Sequence, residues 1–316
     1  MNLKKIAFLL LKIIVSAAMV YFLVSKIGLN EIIENISKVN PVYFIIAVAI
    51  YLVQLFIASN RWGMLIENRP SIKQLYSLYL IGAFFGIFLP GLVGGDTVKA
   101  YYLNKMLKTP TNSHSESPTL ITSIASVFMD RYIGFIALIT MVIVVFPFSI
   151  AYLKGTVFIW LLPTIFTVFI AASLILIHFR LGDGITFIAN FYKYLSLFVT
   201  KRHIFIKAIL LSFVIQSAGM CAVYILSIGL GMKVSFIAIV VFLPIIILLS
   251  FIPITIAGIG LREGAFVFSF SIIKVPSEQS LTLSILWFLS TCTGSLFGLV
   301  EYLRIKKVND AESGSY

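Results

Sequence analysis

Lys99 and Arg262 each stand nine residues after a proline, Pro90 and Pro253, with an acid close by at Asp96 or Glu263. They close two related segments. One is Phe88-Leu89-Pro90-Gly91-Leu92-Val93-Gly94-Gly95-Asp96-Thr97-Val98-Lys99; the other is Phe251-Ile252-Pro253-Ile254-Thr255-Ile256-Ala257-Gly258-Ile259-Gly260-Leu261-Arg262. Aligned on the prolines, Gly95 meets Gly258. A helix that starts after Gly94-Gly95, or after Gly258-Ile259-Gly260, leaves its first N–H groups unpaired at a positive end. Flexible glycine, that positive end and a base together suit phosphate or carboxylate. Asp96 and Glu263 are placed to cap the helix starts or to balance Lys99 and Arg262 when no anion is bound. A purely structural reading, in which fixed ion pairs lock the two segments together, is compatible with the first.

Asp130 and Arg131 sit about ten residues into an apolar run, where a charge at the bilayer centre costs about 2.5–3.5 kcal/mol on insertion scales. Ser123, Ser126, Asp130 and Gly134 recur at helical spacing and form a polar, small-residue stripe facing the bundle interior. Arg131 lies about 100° round the helix from Asp130, so the two are not a face-to-face pair. The natural partners for Asp130 are Lys99 and Arg262. Asp130, Arg131, Asp96 and Glu263 are assigned to gating or charge balance.

Hydrophobic residues make up 60% of the 316-residue chain and charged ones 11%, and the mean hydropathy is +1.07. Such a composition indicates a polytopic membrane protein. Apolar segments fall at about 6–24, 42–60, 72–89, 120–148, 157–178, 204–230, 235–252 and 280–303. If 72–89 and 235–252 dip in and return, six helices cross. One side then collects 16 of the 24 Lys and Arg residues against 5 opposite (Lys26, Lys38, Lys154, Lys233, Lys274), with Lys12, Arg131 and Arg262 inside the membrane. Eight full crossings, the alternative, split the same charges almost evenly. The positive-inside rule favours six, with both termini cytoplasmic and an uncleaved first helix.

The expected fold is all-α: six transmembrane helices and two re-entrant hairpins in one domain. Its inverted-repeat halves cover about 1–150 and 151–307, with 308–316 as a disordered tail. Pro, paired Gly and charge at membrane depth mean broken backbone, tolerated only where it is buried in protein or lines a cavity. Two breaks in corresponding halves are a mark of repeat-built transporters. Residues 106–118 read as a polar, mobile loop. The apolar positions between Asp183 and His203 form a helix, either on the cytoplasmic membrane surface or packed on the bundle.

Cys221 and Cys292 fall in apolar spans and read as buried hydrophobes. His114, His178 and His203 lack metal-ligand spacing. The chain contains no Walker motif, no acidic metal-binding cluster and no nucleophile with an adjacent base. No catalytic residue, metal or cofactor is assigned.

The two hairpin motifs, with Ser126-Val127-Phe128-Met129-Asp130-Arg131-Tyr132-Ile133-Gly134 between them, resemble the flippase-like family typified by the transmembrane region of lysylphosphatidylglycerol synthases. The likeness runs from Met1 to about Lys307. It implies a domain that moves a polar-headed lipid between leaflets, aminoacylated phospholipid in some members and polyprenol-linked glycan in others. A soluble aminoacyl-transfer domain is not expected within these 316 residues, so lysylphosphatidylglycerol synthesis is not expected either.

The function expected is a cell (inner) membrane flippase for a polar-headed or polyprenyl-phosphate-linked lipid, in envelope lipid or glycan assembly. Lys99, Arg262, Gly94, Gly95, Gly258 and Gly260 would hold an anionic phosphate headgroup, with Pro90 and Pro253 marking the breaks. An envelope glycosyltransferase is a second candidate partner; nucleic acid is not. The alternatives are a membrane-embedded glycosyl- or aminoacyl-transferase, or a scaffold for one.

Overall fold

The computed structural model describes residues 3–66, 68–88, 94–107, 120–180, 182, 184–250, 252, 254–255 and 258–313. Both prolines, Pro90 and Pro253, and most of the loop expected at 106–118 lie outside them. Among the described residues the fold is all-helical. Its elements are α1 Leu3–Ile27, α2 Leu29–Ser37, α3 Pro41–Gly63, α4 Ile72–Phe88, α5 Gly94–Leu107, α6 Leu120–Leu153, α7 Phe158–Phe179, α8 Thr186–Thr200, α9 Arg202–Gly229, α10 Phe236–Ser250, α11 Leu261–Ser271 and α12 Ser277–Ser313.

Five of these, α3, α6, α7, α9 and α12, are long and apolar enough to cross a membrane. A sixth span is supplied if α1 and α2 count as one; they meet at an 81° bend at Gly28, where φ is 97°. α4 has 17 residues and α10 has 15, about 25 Å and 22 Å of helix. Each falls short of a hydrocarbon core about 30 Å thick.

Each short helix turns back on the next. Gly95 lies against Gly82 and Gly86, and Lys99 against Gly82, so α4 and α5 run antiparallel. A Cβ on Gly95 would fall on the Gly82 carbonyl, which is why this crossing needs glycine. In the second pair Gly258 meets Ser250, and the Phe242 and Phe270 rings are 5.9 Å apart, the same antiparallel order.

Two apolar clusters hold the bundle. Leu75, Leu78, Ala100 and Leu103 of the first hairpin pack with Trp62, Met129 and Ile133. Phe242, Ile246, Phe266 and Phe270 of the second pack with Leu138, Val142, Val223 and Leu286. α3 packs on α9, α4 on α12, and α10 on α6. α7 turns most of its surface outward, with Trp160, Val168 and Leu174 exposed, as a lipid-facing helix would.

One feature resolves an open alternative of the sequence reading and another departs from it. α8 packs on α6 and α9 with Phe191 and Tyr192 buried, which is the second of the two placements considered for it. α12 runs to Ser313, so the expected disordered tail at 308–316 is helical through 313. Glu301, Leu303, Arg304, Lys306 and Ala311 are all good helix formers and extend the span without a breaker.

Candidate functional site

α5 and α11 bring their bases to the walls of two adjoining cavities. One, of about 720 Å3, is lined by Gly95, Asp96, Arg131, Arg262, Ser250 and Trp287 among others. The other, of about 660 Å3, is lined by Arg61, Lys99, Asp130, Arg131, Gln54 and Gln216 among others. Tyr51, Gly82, Ala83, Asp96, Phe128, Arg131 and Ile247 belong to both walls.

The expected stripe on α6 is buried: Ser123, Ser126 and Asp130 are each at most 2% exposed. It faces α3. The indole N–H of Trp62 donates to Ser126 Oγ at 3.3 Å, and the Arg61 guanidinium passes over Gly134. Arg61 Nε donates to Asp130 Oδ1 at 2.9 Å, and its Nη1 donates to Ser212 Oγ of α9 at 2.7 Å. The Tyr79 hydroxyl donates to Asp130 Oδ2.

Arg61 is a partner of Asp130 that the sequence reading missed; of the two bases it named, Lys99 does form an ion pair with Asp130 and Arg262 does not. Lys99 stands further off, with Nζ 3.9 Å from Asp130 Oδ2. Arg262 is paired elsewhere. Arg61 follows the apolar run 42–60 directly and read as a flanking base. α3 in fact continues to Gly63 and buries Arg61 to 6% exposure. Ala58, Ser59 and Asn60 immediately before it were the available signal, since a small and polar end to an apolar helix marks an inward face.

Arg131, turned away from Asp130 round the helix, reaches another element. Its Nε and Nη2 donate to the two Asp96 oxygens at 2.9 and 3.1 Å, a bidentate fork from α6 to α5. Its side chain is 60% accessible and lines both cavities, whereas that of Asp96 is 14% accessible. Lys99 Nζ is 3.7 Å from Asp96 Oδ1, and it lies 3.9 Å from the Tyr79 ring centroid and 4.7 Å from that of Trp62. Both Lys99–carboxylate distances exceed hydrogen-bond length. The ammonium is therefore held by charge and by aromatic faces.

The second hairpin is tighter. Glu263 Oε2 accepts from the Gly260 N–H at 2.6 Å, a capping-box bond at the start of α11. Glu263 Oε1 accepts from Arg262 through Nε at 3.0 Å and through Nη2, and from Ser284 Oγ at 3.4 Å. The Arg262 guanidinium lies 4.5 Å from the Phe288 ring centroid. Glu263 thus fills both roles foreseen for it, cap and counter-charge.

The glycines serve geometry. Gly95 makes the α4–α5 crossing. Gly258 and Gly260 have φ of 75° and 87°, a region that favours glycine. A Cβ on Gly260 would press on Met19 of α1. The Gly260 amide already belongs to Glu263, so it is not an open donor. Gly94 begins α5 and is half-buried. Donors for an anion therefore come from side chains: Lys99, Arg131 and Arg262, with Arg61 behind them.

The family model described as "Lysylphosphatidylglycerol synthase TM region" matches residues 9–298. The chain belongs to that family. It is similar to a UPF0104 membrane protein of Methanocaldococcus jannaschii, 23% identical over 324 residues and 96% of each chain. Two UPF0104 membrane proteins of Methanothermobacter thermautotrophicus are 20% and 21% identical. The first alignment covers 85% of each chain, and the second covers 80% of this chain and 82% of the relative.

Proposed function

We propose that this member of the lysylphosphatidylglycerol synthase TM-region family is a lipid translocase of the cell membrane, acting on a polar-headed lipid with an anionic phosphate in envelope lipid or glycan assembly. One observation carries the reading. Four bases from four helices, Arg61, Lys99, Arg131 and Arg262, surround adjoining cavities inside a bundle whose outer surface is apolar. Against three carboxylates this leaves one excess positive charge. Bases at membrane depth are costly and are kept where they pair or line a path for a charged group. Cavities of 660–720 Å3 suit a headgroup-sized ligand. In this reading the acyl or prenyl chains stay in the bilayer.

Element order supports alternating access. α1–α6 and α7–α12 run in the same sequence: a long helix, a short helix, a long helix, two short antiparallel helices and a long helix. The contacts match as well, α5 on α6 like α11 on α12, and α4 on α12 like α10 on α6. Three crossings per half make the repeat inverted. The hairpins then enter from opposite faces and meet near the midplane, where such transporters bind substrate. The charge asymmetry of the loops supports cytoplasmic termini in this reading. The protein itself would transfer no group and hydrolyse no nucleotide.

The test is lipid scrambling in proteoliposomes, with a fluorescent phosphatidylglycerol and an impermeant quencher. The full chain should expose inner-leaflet label, and Lys99→Gln or Arg262→Gln should abolish this while the protein still inserts. Scrambling no faster than in empty vesicles, or normal scrambling by both variants, refutes the reading.

A further inference from the structure

Donors and acceptors are out of balance around the cavities. Asp96 has both oxygens in the Arg131 fork. Asp130 receives Arg61 on one oxygen and Tyr79 on the other. Glu263 holds the Gly260 amide on one and Arg262 on the other. Every carboxylate oxygen at the site therefore already accepts a hydrogen bond. Among the described residues lining the two cavities, Asp96 and Asp130 are the only acids.

The bases are not used up in the same way. Three guanidiniums and one ammonium carry about 18 N–H donors, and the Lys99 ammonium stands beyond hydrogen-bonding reach of both nearby acids. Arg131 is 60% accessible and lines both cavities. The remaining polar wall is neutral, with Gln54, Gln216 and Tyr51. An amide or phenol bonds a hydroxyl readily but does not neutralise an ammonium. A ligand that brings its own cation would face like charges with no unengaged carboxylate to meet it, which is a device for exclusion as much as for binding.

From this imbalance we infer that the site selects lipids whose heads present only acceptors and neutral groups, a phosphate diester with a hydroxylated extension. It rejects lipids whose head carries a primary amine, aminoacyl esters included. The inference rests on the translocase reading of the same site and narrows its substrate class.

The experiment uses the full chain in detergent and follows its tryptophan fluorescence, since Trp287 lines one cavity. Short-chain phosphatidylglycerol, its lysyl ester, phosphatidylcholine and inorganic phosphate are titrated separately. Phosphatidylglycerol should bind at least tenfold more tightly than the lysyl ester. Arg131→Gln, which releases the Asp96 carboxylate, should shrink or invert that ratio. Equal or tighter binding of the lysyl ester to the unaltered chain overturns the selectivity and leaves translocation standing. If none of the lipids is bound or moved, the translocase reading itself fails. Saturation by inorganic phosphate at the affinity of phosphatidylglycerol identifies a free anion as the ligand and overturns the lipid assignment. Should Arg131→Gln fail to fold, the lipid ranking of the unaltered chain decides alone.

Discussion

The Arg61–Asp130 pair offers a quantitative test of how the site is wired. Both side chains are desolvated, 7% and 1% exposed, so solvent does little to screen them. At an effective dielectric of about 20, the 2.9 Å separation gives an attraction of about 6 kcal/mol, and the 3.9 Å from Lys99 to Asp130 gives about 4 kcal/mol. Desolvation of the ions offsets much of both sums, so only their difference is useful. Arg61 should couple to Asp130 more strongly than Lys99 does by about 1–2 kcal/mol, and it alone of the two bases adds a direct hydrogen bond. Asp130→Asn strands two buried bases and should cost about 3–5 kcal/mol. Arg61→Gln should cost less, because Tyr79 still donates to the carboxylate.

The double variant Arg61→Gln/Asp130→Asn should then cost less than the sum of the singles by about 1–3 kcal/mol, since it leaves no orphan charge between them. The same cycle with Lys99→Gln should show a smaller coupling. With Arg262→Gln the costs should add, because Arg262 is engaged by Glu263. Equilibrium unfolding in mixed micelles, read by tryptophan fluorescence, measures all three. Additivity for Arg61 together with non-additivity for Arg262 would refute this wiring and restore the pairing across hairpins that the sequence suggested.

Gly95→Ala should weaken the first hairpin by about 1–3 kcal/mol, because its methyl would strike Gly82 and Gly86; Gly86→Ala, with nothing within 4 Å of the new methyl, is the matched control, and equal unfolding midpoints for the two would contradict the crossing. Glu263→Gln should lower stability through the lost cap by about 0.5–2 kcal/mol and should also slow scrambling, because Arg262 loses its counter-charge; retained scrambling with lowered stability would make Glu263 purely structural. Single cysteines at the exposed Ser37 and Ser196 should differ in intact cells: impermeant thiol reagent should label the first and not the second, and the opposite pattern would overturn the inverted arrangement with cytoplasmic termini.

The hairpins were legible because their signals are local. Pro with Gly after it ends an apolar run, and the Lys and Arg count on either side then favours two runs that turn back over two that cross. The inward face of α6 was legible for a similar reason, since its polar positions repeat with the helical period. Pairing across elements was legible only in part: the Lys99–Asp130 ion pair was named, the Arg61 bond was not. Gly134, one turn from Asp130, leaves room beside the Arg61 guanidinium, but the rotation of α3 that turns Arg61 inward is not encoded near Asp130. The short helix α2 was missed for a different cause. Asn30, Glu31, Glu34 and Asn35 give it the polarity of a loop, although Ile32, Ile33 and Ile36 keep helical spacing and Ile32 is buried.

The matched glycines show why spacing alone overstates an anion cradle. In the first hairpin Gly95 is required by two helices that touch backbone to backbone. In the second, its counterpart Gly258 is required by a positive φ, and the amide of nearby Gly260 is closed off by Glu263. One residue type at corresponding positions thus answers two different steric demands. Side-chain charge behaves differently. Lys99 and Arg262 both stand at cavity walls, each close to a carboxylate and over an aromatic face. A structural ion pair alone would not require those cavities, nor an accessible Arg131 at the junction of both. The anion-binding argument therefore belongs to the bases, and it stands or falls with Lys99, Arg131 and Arg262 rather than with the glycines that first drew the two segments together.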